Sequence, residues 1–379
     1  MSVAVFYITG HGFGHASRDI EVINALADAS PETRIVIRTA APEWLFRLTV
    51  RARHEFHLAE TDTGIVQVDS LRPDIPETLR RAAAFYADYE SRVHREAAWL
   101  TALRGAVAVI SDIPPLAFDA AARAGVPSYG LSNFTWDWIY DGYEETARQA
   151  PGLVDTIRRA YVHAREAWRL PMHGGFETFR RVVDVPFVAR HSHREPGETR
   201  RAFGLPLDRR VVLSSFGGYG LAGLSLERVD ALGEYAIVVT ETSTTPRSLA
   251  AGAARGRDSA LVIPLQEDDI YGRGYRYEDL VRAADVVLTK PGYGIVAECI
   301  ANETALLYTS RGRFREYDVL VREMPAFLRC GFIEQEVLFT GRWRDTLDRI
   351  LAQSPPPVRP ATDGAEVVAA KIARVLTSG

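Results

Sequence analysis

Residues 3–18 read VAVFYITGHGFGHASR: six apolar or aromatic residues, then a run with glycine at 10, 12 and 14, then the start of a helical pattern. A short apolar run closed by glycines and followed by a helix is how a buried parallel strand hands over to the helix that covers it. Ile20, Ile23 and Leu26 recur at helical spacing beyond it, so 18–29 reads as that helix. A second stretch, 290–308, KPGYGIVAECIANETALLY, repeats the plan, with a glycine pair at 292 and 294 opening a helix over 294–301.

Working outward, 34–38, 107–110 and 128–131 read as further buried strands, with helical stretches over 76–104 and 116–124. The pattern restarts at 210–215 and continues through 235–240, 260–264, 285–289 and 304–309, with a helix over 317–329. Strands alternating with helices imply parallel sheets covered on both faces. A chain of 379 residues is longer than one core usually serves, so two domains are expected. The polar segment 189–206, ARHSHREPGETRRAFGLP, is the natural boundary. The expectation is α/β: a first Rossmann-like domain over 1–195, a second over 196–360, and a helix over 361–379. That helix carries Val368, Ile372, Val375 and Leu376 on one face, and should return to the first domain.

Composition narrows function. With 47% apolar and 25% charged residues the chain has material for packed cores, and a net charge of −4 argues against a general nucleic-acid binder. The opening MSVAVFYITG lacks a basic leader and reads as a strand rather than a signal peptide. Two cysteines, Cys299 and Cys330, make no disulfide framework, and no apolar run approaches the ~18 residues of a spanning helix. A soluble, cytoplasmic protein is expected, with peripheral membrane contact left open. His54 with His57, and His191 with His193, lack a third ligand at telling spacing, so no metal is expected.

Five stretches taken together go further: 9–18 (TGHGFGHASR), 110–128 (ISDIPPLAFDAAARAGVPS), 132–143 (SNFTWDWIYDGY), 214–218 (SSFGG) and 290–308. The chain resembles the glycosyltransferase-like N-terminal region of plant L-arabinokinases and, more distantly, the N-acetylglucosaminyltransferases that form lipid II. The resemblance implies the GT-B fold, two doubly wound domains facing across a cleft. The sugar nucleotide, a UDP-sugar by preference, would bind the second domain and a hydroxyl acceptor the first. No kinase pattern follows within these 379 residues, so kinase activity is not expected of them.

His15 ends the first glycine run where inverting GT-B enzymes place a general base, and imidazole titrates in the range such a base needs. Asp112, closing the strand at 107–110, is the expected partner that orients it; the competing reading makes both residues helix caps. His11, Phe13, Gly14, Asn133, Trp136 and Trp138 are candidate acceptor contacts, although core packing is an equal reading for half of the aromatic cluster that Tyr140 and Tyr143 complete. For the donor, Gly292, Tyr293 and Gly294 at a helix start suit a diphosphate, and Lys290 adds charge. Glu298, one turn on, is placed for the ribose hydroxyls, and Gly217 and Gly218 could let a second backbone approach phosphate. In the loop RGRFRE, over 311–316, the arginines, Arg311 and Arg313 among them, would offset donor charge and Glu316 would bind sugar hydroxyls, although a merely solvated loop is an equal reading for each arginine. Ile295 and Ala297 replace hydroxyl residues common in relatives, which throws phosphate binding onto backbone and Lys290. No cofactor is expected beyond the nucleotide-sugar co-substrate. The leading function is an inverting glycosyltransferase. Its rivals are a sugar-nucleotide epimerase or hydrolase of the same fold and a non-catalytic sugar-nucleotide-binding module.

Overall fold

A computed structural model describes residues 2–216, 232–241 and 261–377. The first sheet contains β1 (Ser2–Ile8), β2 (Arg34–Thr39), β3 (His54–Leu58), β4 (Ala106–Asp112), β5 (Ser128–Phe134), β6 (Glu166–Gly174) and β7 (Val182–Asp184). All are parallel, in the order β3-β2-β1-β4-β5-β6-β7. The second contains β8 (Arg210–Ser215), β9 (Tyr235–Glu241), β10 (Leu261–Gln266), β11 (Val286–Thr289), β12 (Ala305–Tyr308) and β13 (Cys330–Phe332), also parallel, in the order β10-β9-β8-β11-β12-β13.

In both sheets the chain winds outward on one side of the first strand and then returns to its other side. The order therefore reverses between β1 and β4, and again between β8 and β11. Connections leave such a point in opposite directions and open a crevice at the strands' carboxyl ends, where ligands of α/β folds bind. His15 follows β1 and Asp112 ends β4, so these two residues flank the first crevice; Lys290 and Gly292 follow β11 and flank the second.

Several elements differ from the sequence reading. The first helix runs Gly12–Ala29, so the glycine run is its first turn rather than a loop before it. The stretch 76–104 is two helices, Ile75–Ala87 and Tyr89–Ala102, parted at Asp88. The region 317–329 is a helix Glu316–Glu323 followed by a 3-10 turn, Met324–Ala326, where Pro325 cannot donate the next helical hydrogen bond. Within 189–206 lies a short helix, Pro196–Ala202. Gly217 and Gly218 lie outside the described residues, as does the start of the 260–264 strand.

The helix Gly364–Thr377 lies against the first sheet's helix Gly12–Ala29. Val368, Ala369, Ile372 and Leu376 join the core of Ala16, Ile20, Ile23 and Leu26, with Ile372 wholly buried. Burying such a side chain stabilises by about 1.5–3 kcal/mol. The crossing point is zipped by backbone: Gly364 N–H donates to Phe187 O at 3.0 Å, and Phe187 N–H to Ala361 O at 3.2 Å. A Cβ at Gly364 would stand 2.3 Å from Pro186 O, so only glycine allows this approach.

Candidate functional site

One cavity of about 530 Å³ opens between the two sheets. Both halves line it: 10–15, Arg18, Asn133 and Phe134 from the first, and Lys290, 292–297, Arg311 and Glu316 from the second. Two helices begin on it, Gly12–Ala29 and Tyr293–Ala301, and their first turns face each other across the cleft. Free amides and the positive ends of two helix dipoles thus converge on one space, which suits an anion. Neither helix start has a side-chain cap, so its N–H groups are left for a ligand.

His15 Nδ1 lies 2.9 Å from Asp112 Oδ1. The contact follows from strand register: Ile8 pairs with Asp112, and Thr9 N–H donates to Asp112 O at 3.0 Å, so the first helix starts directly beside that carboxylate. Asp112 is fully buried and does not itself line the cavity; it reaches it through His15. Burial raises its carboxyl's pKa, but Arg18 and then His15 outweigh that and hold it well below the usual carboxylate range. Buried alongside, Asp19 is pushed the other way, by burial first and by Asp112 second.

His11 also lines the cavity. Ile65 N–H donates to its Nδ1 at 3.2 Å, so the neutral ring carries its proton on Nε2, and burial followed by the nearby His15 pulls its pKa down. Phe13 and Gly14 line the same wall. Asn133 is there as well, but it is already engaged: it donates to Pro171 O at 2.7 Å and accepts from Arg18 Nη1.

Trp136 is not on the cavity. It is core, with its indole donating to Asp62 at 2.9 Å, while Thr9 donates to the other oxygen at 2.8 Å. Burial pushes the Asp62 carboxyl up to about 6. Trp138 also stays off the cavity lining; it lies on glycine backbone, where a Cβ at Gly174 would come within 2.4 Å of its ring. Tyr140 and Tyr143 are buried too. A cluster rich in aromatic residues went to packing, where its large apolar area stabilises most.

On the second half, Lys290, Gly292, Tyr293, Gly294 and Glu316 all line the cavity. Lys290 is pulled down to about 7 by burial, with Arg311 adding to the effect and Glu316 opposing it. Arg313 does not reach the site: it is exposed and forks onto Glu145 at 2.7 and 3.1 Å. Its neighbour Arg315 donates to Trp138 O, so both arginines tie the loop to the first half. Arg311, the first arginine of that loop, does reach the site. It is buried on the cavity, stacked 3.6 Å over Phe314 and 3.2 Å from Glu316. Arg311 Nε, Glu316 Oε2 and Tyr293 OH are buried without a hydrogen-bond partner, which leaves polar valence for a ligand.

Glu298 lies off the cavity lining and is gripped by Arg190, whose Nε donates to its Oε1 at 2.7 Å. Arg190 also stands 3.6 Å from Glu278. Burial raises the Glu298 carboxyl's pKa, and Arg190 opposes that. Among the described residues no three His, Cys, Asp or Glu side chains cluster as a metal site, and no helix is long and apolar enough to cross a membrane.

Two parallel sheets of seven and six strands facing one cavity are the GT-B glycosyltransferase fold. Solved structures agree over the whole chain: the glycosyltransferase VinC in complex with dTDP has a TM-score of 0.60 at 14% identity, covering 100% of both chains. A UGT transferase from Siraitia grosvenorii in complex with UDP has 0.57 at 12% identity, covering 100% of this chain and 99% of that one. In sequence, the chain is a distant homologue of L-arabinokinase from Arabidopsis thaliana, 31% identical over 358 residues. The match spans 93% of this chain and 32% of that protein, so the chain spans about a third of its relative's length. No family model matches the chain.

Proposed function

We propose that this protein is an inverting glycosyltransferase that moves a sugar from a nucleotide sugar, by preference a UDP-sugar, to a hydroxyl acceptor. Residues 1–195 would hold the acceptor and 196–360 the donor, with 361–379 tying the two together. The observation that carries the reading is His15, oriented by Asp112 at 2.9 Å on the wall of a cavity whose opposite wall is a glycine-opened helix start. With Nδ1–H donated to Asp112, Nε2 is free to take the acceptor's proton. As the acceptor oxygen bonds to the anomeric carbon, the bond from that carbon to the diphosphate breaks. The leaving diphosphate then gathers a further negative charge among the backbone amides at 292–294, Lys290 and Arg311, which stabilise it more than they stabilise the less charged diphosphate ester of the ground state. Tyr293 and Glu316 offer unpartnered oxygens to sugar hydroxyls. Glu298 would take the ribose once Arg190 shares it.

A second reading, a sugar-nucleotide-binding module without turnover, is supported by the match to only 32% of a larger relative. The two readings separate in one assay: UDP release from a panel of UDP-sugars with and without hydroxyl acceptors, run beside calorimetry of UDP and dTDP. Acceptor-dependent release supports transfer; tight binding with no release from any donor supports the module.

A further inference from the structure

Arg18 has no part in the reading so far, yet it sits at the centre of the buried polar group behind the cleft. Its Nη2 is 3.0 Å from His15 Nδ1 and 2.5 Å from both oxygens of Asp112. Its Nη1 donates to Asn133, which is itself fixed by donating to Pro171 O at 2.7 Å. His15, Arg18 and Asn133 are exposed by 8, 8 and 5%, and Asp112 not at all. A fork held at both prongs in a site this dry keeps one position.

His15 Nδ1 therefore faces an acceptor, Asp112, and a donor, Arg18. Guanidinium can only donate and this carboxylate can only accept; with both hydrogens of Nη2 given to Asp112, Nδ1 keeps its own proton for the same carboxylate and Nε2 stays free. Asp112 alone would do more than orient the ring. A buried, uncompensated carboxylate 2.9 Å away stabilises imidazolium strongly, and a protonated imidazole takes no proton from an acceptor. We propose that Arg18, anchored by Asn133, is a positioning residue that neutralises Asp112, so that losing its charge would favour the protonated His15 ring and hinder it as a base. The other groups facing His15 do not supply that charge. Asp62 is a buried carboxyl shared by Thr9 and Trp136, His11 is neutral, Asp19 is a buried acid, and Phe134 presents its ring 5.3 Å away. From across the cleft Tyr293 stacks on that same ring.

The inference rests on the proposed role of His15, and its test uses two readouts. In Arg18→Gln the cation is gone, so turnover at pH 7 should fall, by up to about tenfold for each unit that the acid limb moves. It should recover as pH rises, with the acid limb of the pH profile displaced upward by about one unit or more. In parallel, the His15 ring titration followed by NMR should move upward by a similar amount. Arg18→Lys keeps charge without the fork, so its limb should fall between those of Arg18→Gln and the starting protein. If Arg18→Gln does not fold, Arg18→Met removes the cation while keeping a long stem, and an unmoved limb there overturns the proposal. A uniform loss across pH with an unmoved His15 titration also overturns it. A moved NMR titration together with unimpaired turnover in His15→Ala keeps the Arg18 effect and instead removes His15 as the base.

Discussion

Gly14 and Gly294 meet across the cleft: a Cβ built on Gly294 would lie 3.3 Å from Gly14 Cα. The approach is tight on the Gly294 side alone, since a Cβ at Gly14 would meet nothing within 4 Å.

Gly294→Val should therefore wedge the two walls apart, since the obstacle is backbone and not a flexible side chain. Nucleotide affinity should drop by about tenfold or more as the amides at 292–294 lose their facing partners, while the midpoint of thermal unfolding changes little. Calorimetry with UDP and a melting curve on one sample decide it. Unchanged affinity would mean that the approach of Gly14 to Gly294 does not matter to the ligand.

Lys290 sets a pH dependence. Burial brings it down to about 7, so in the free protein it loses its proton as pH rises through neutrality. A bound diphosphate favours the charged form, hence binding takes up a proton, and affinity for a UDP-sugar should weaken from pH 6 to pH 8.5. Calorimetry in buffers of different ionisation heat measures the uptake directly. Lys290→Met should bind more weakly and lose the pH dependence; a slope that persists in this variant would place the titrating group elsewhere.

The fold was largely legible in the sequence because β1, β4, β5, β8, β11 and β12 are short apolar runs bounded by glycine, proline or polar residues, as strands buried on both faces must be. The missed strands lack that signature. Glu166–Gly174 carries two charges and a proline, His54–Leu58 is a half-exposed edge, and Cys330–Phe332 is only three residues long. At the site, His15, Asp112, Lys290 and the glycines stood out because residue type and place after a strand coincide. Arg18 did not, since its partners lie 94 and 115 residues away in the chain and only the sheet brings them together. Trp136 and Trp138 misled because aromatic residues serve cores and sugar sites alike.

Glu298 has two competing demands on it, the ribose proposed for it and the Arg190 that holds it. Glu298→Gln keeps the shape and removes the charge. If ribose binds there, UDP affinity should fall by about 1.5–3 kcal/mol, roughly 10- to 150-fold. Arg190→Gln, which frees Glu298, should not lower affinity to the same degree. Lower thermal stability with unchanged affinity in Glu298→Gln would assign the carboxylate to the fold alone.

The central claim is that His15 takes the acceptor's proton, and the comparison of binding with turnover in His15→Ala tests it most directly. The proposed donor contacts are on the opposite wall, so UDP affinity in the variant should stay within about twofold, while transfer falls by about 10²–10⁴-fold, the worth of a positioned base. Full transfer activity in His15→Ala, with nucleotide binding intact, would contradict the account.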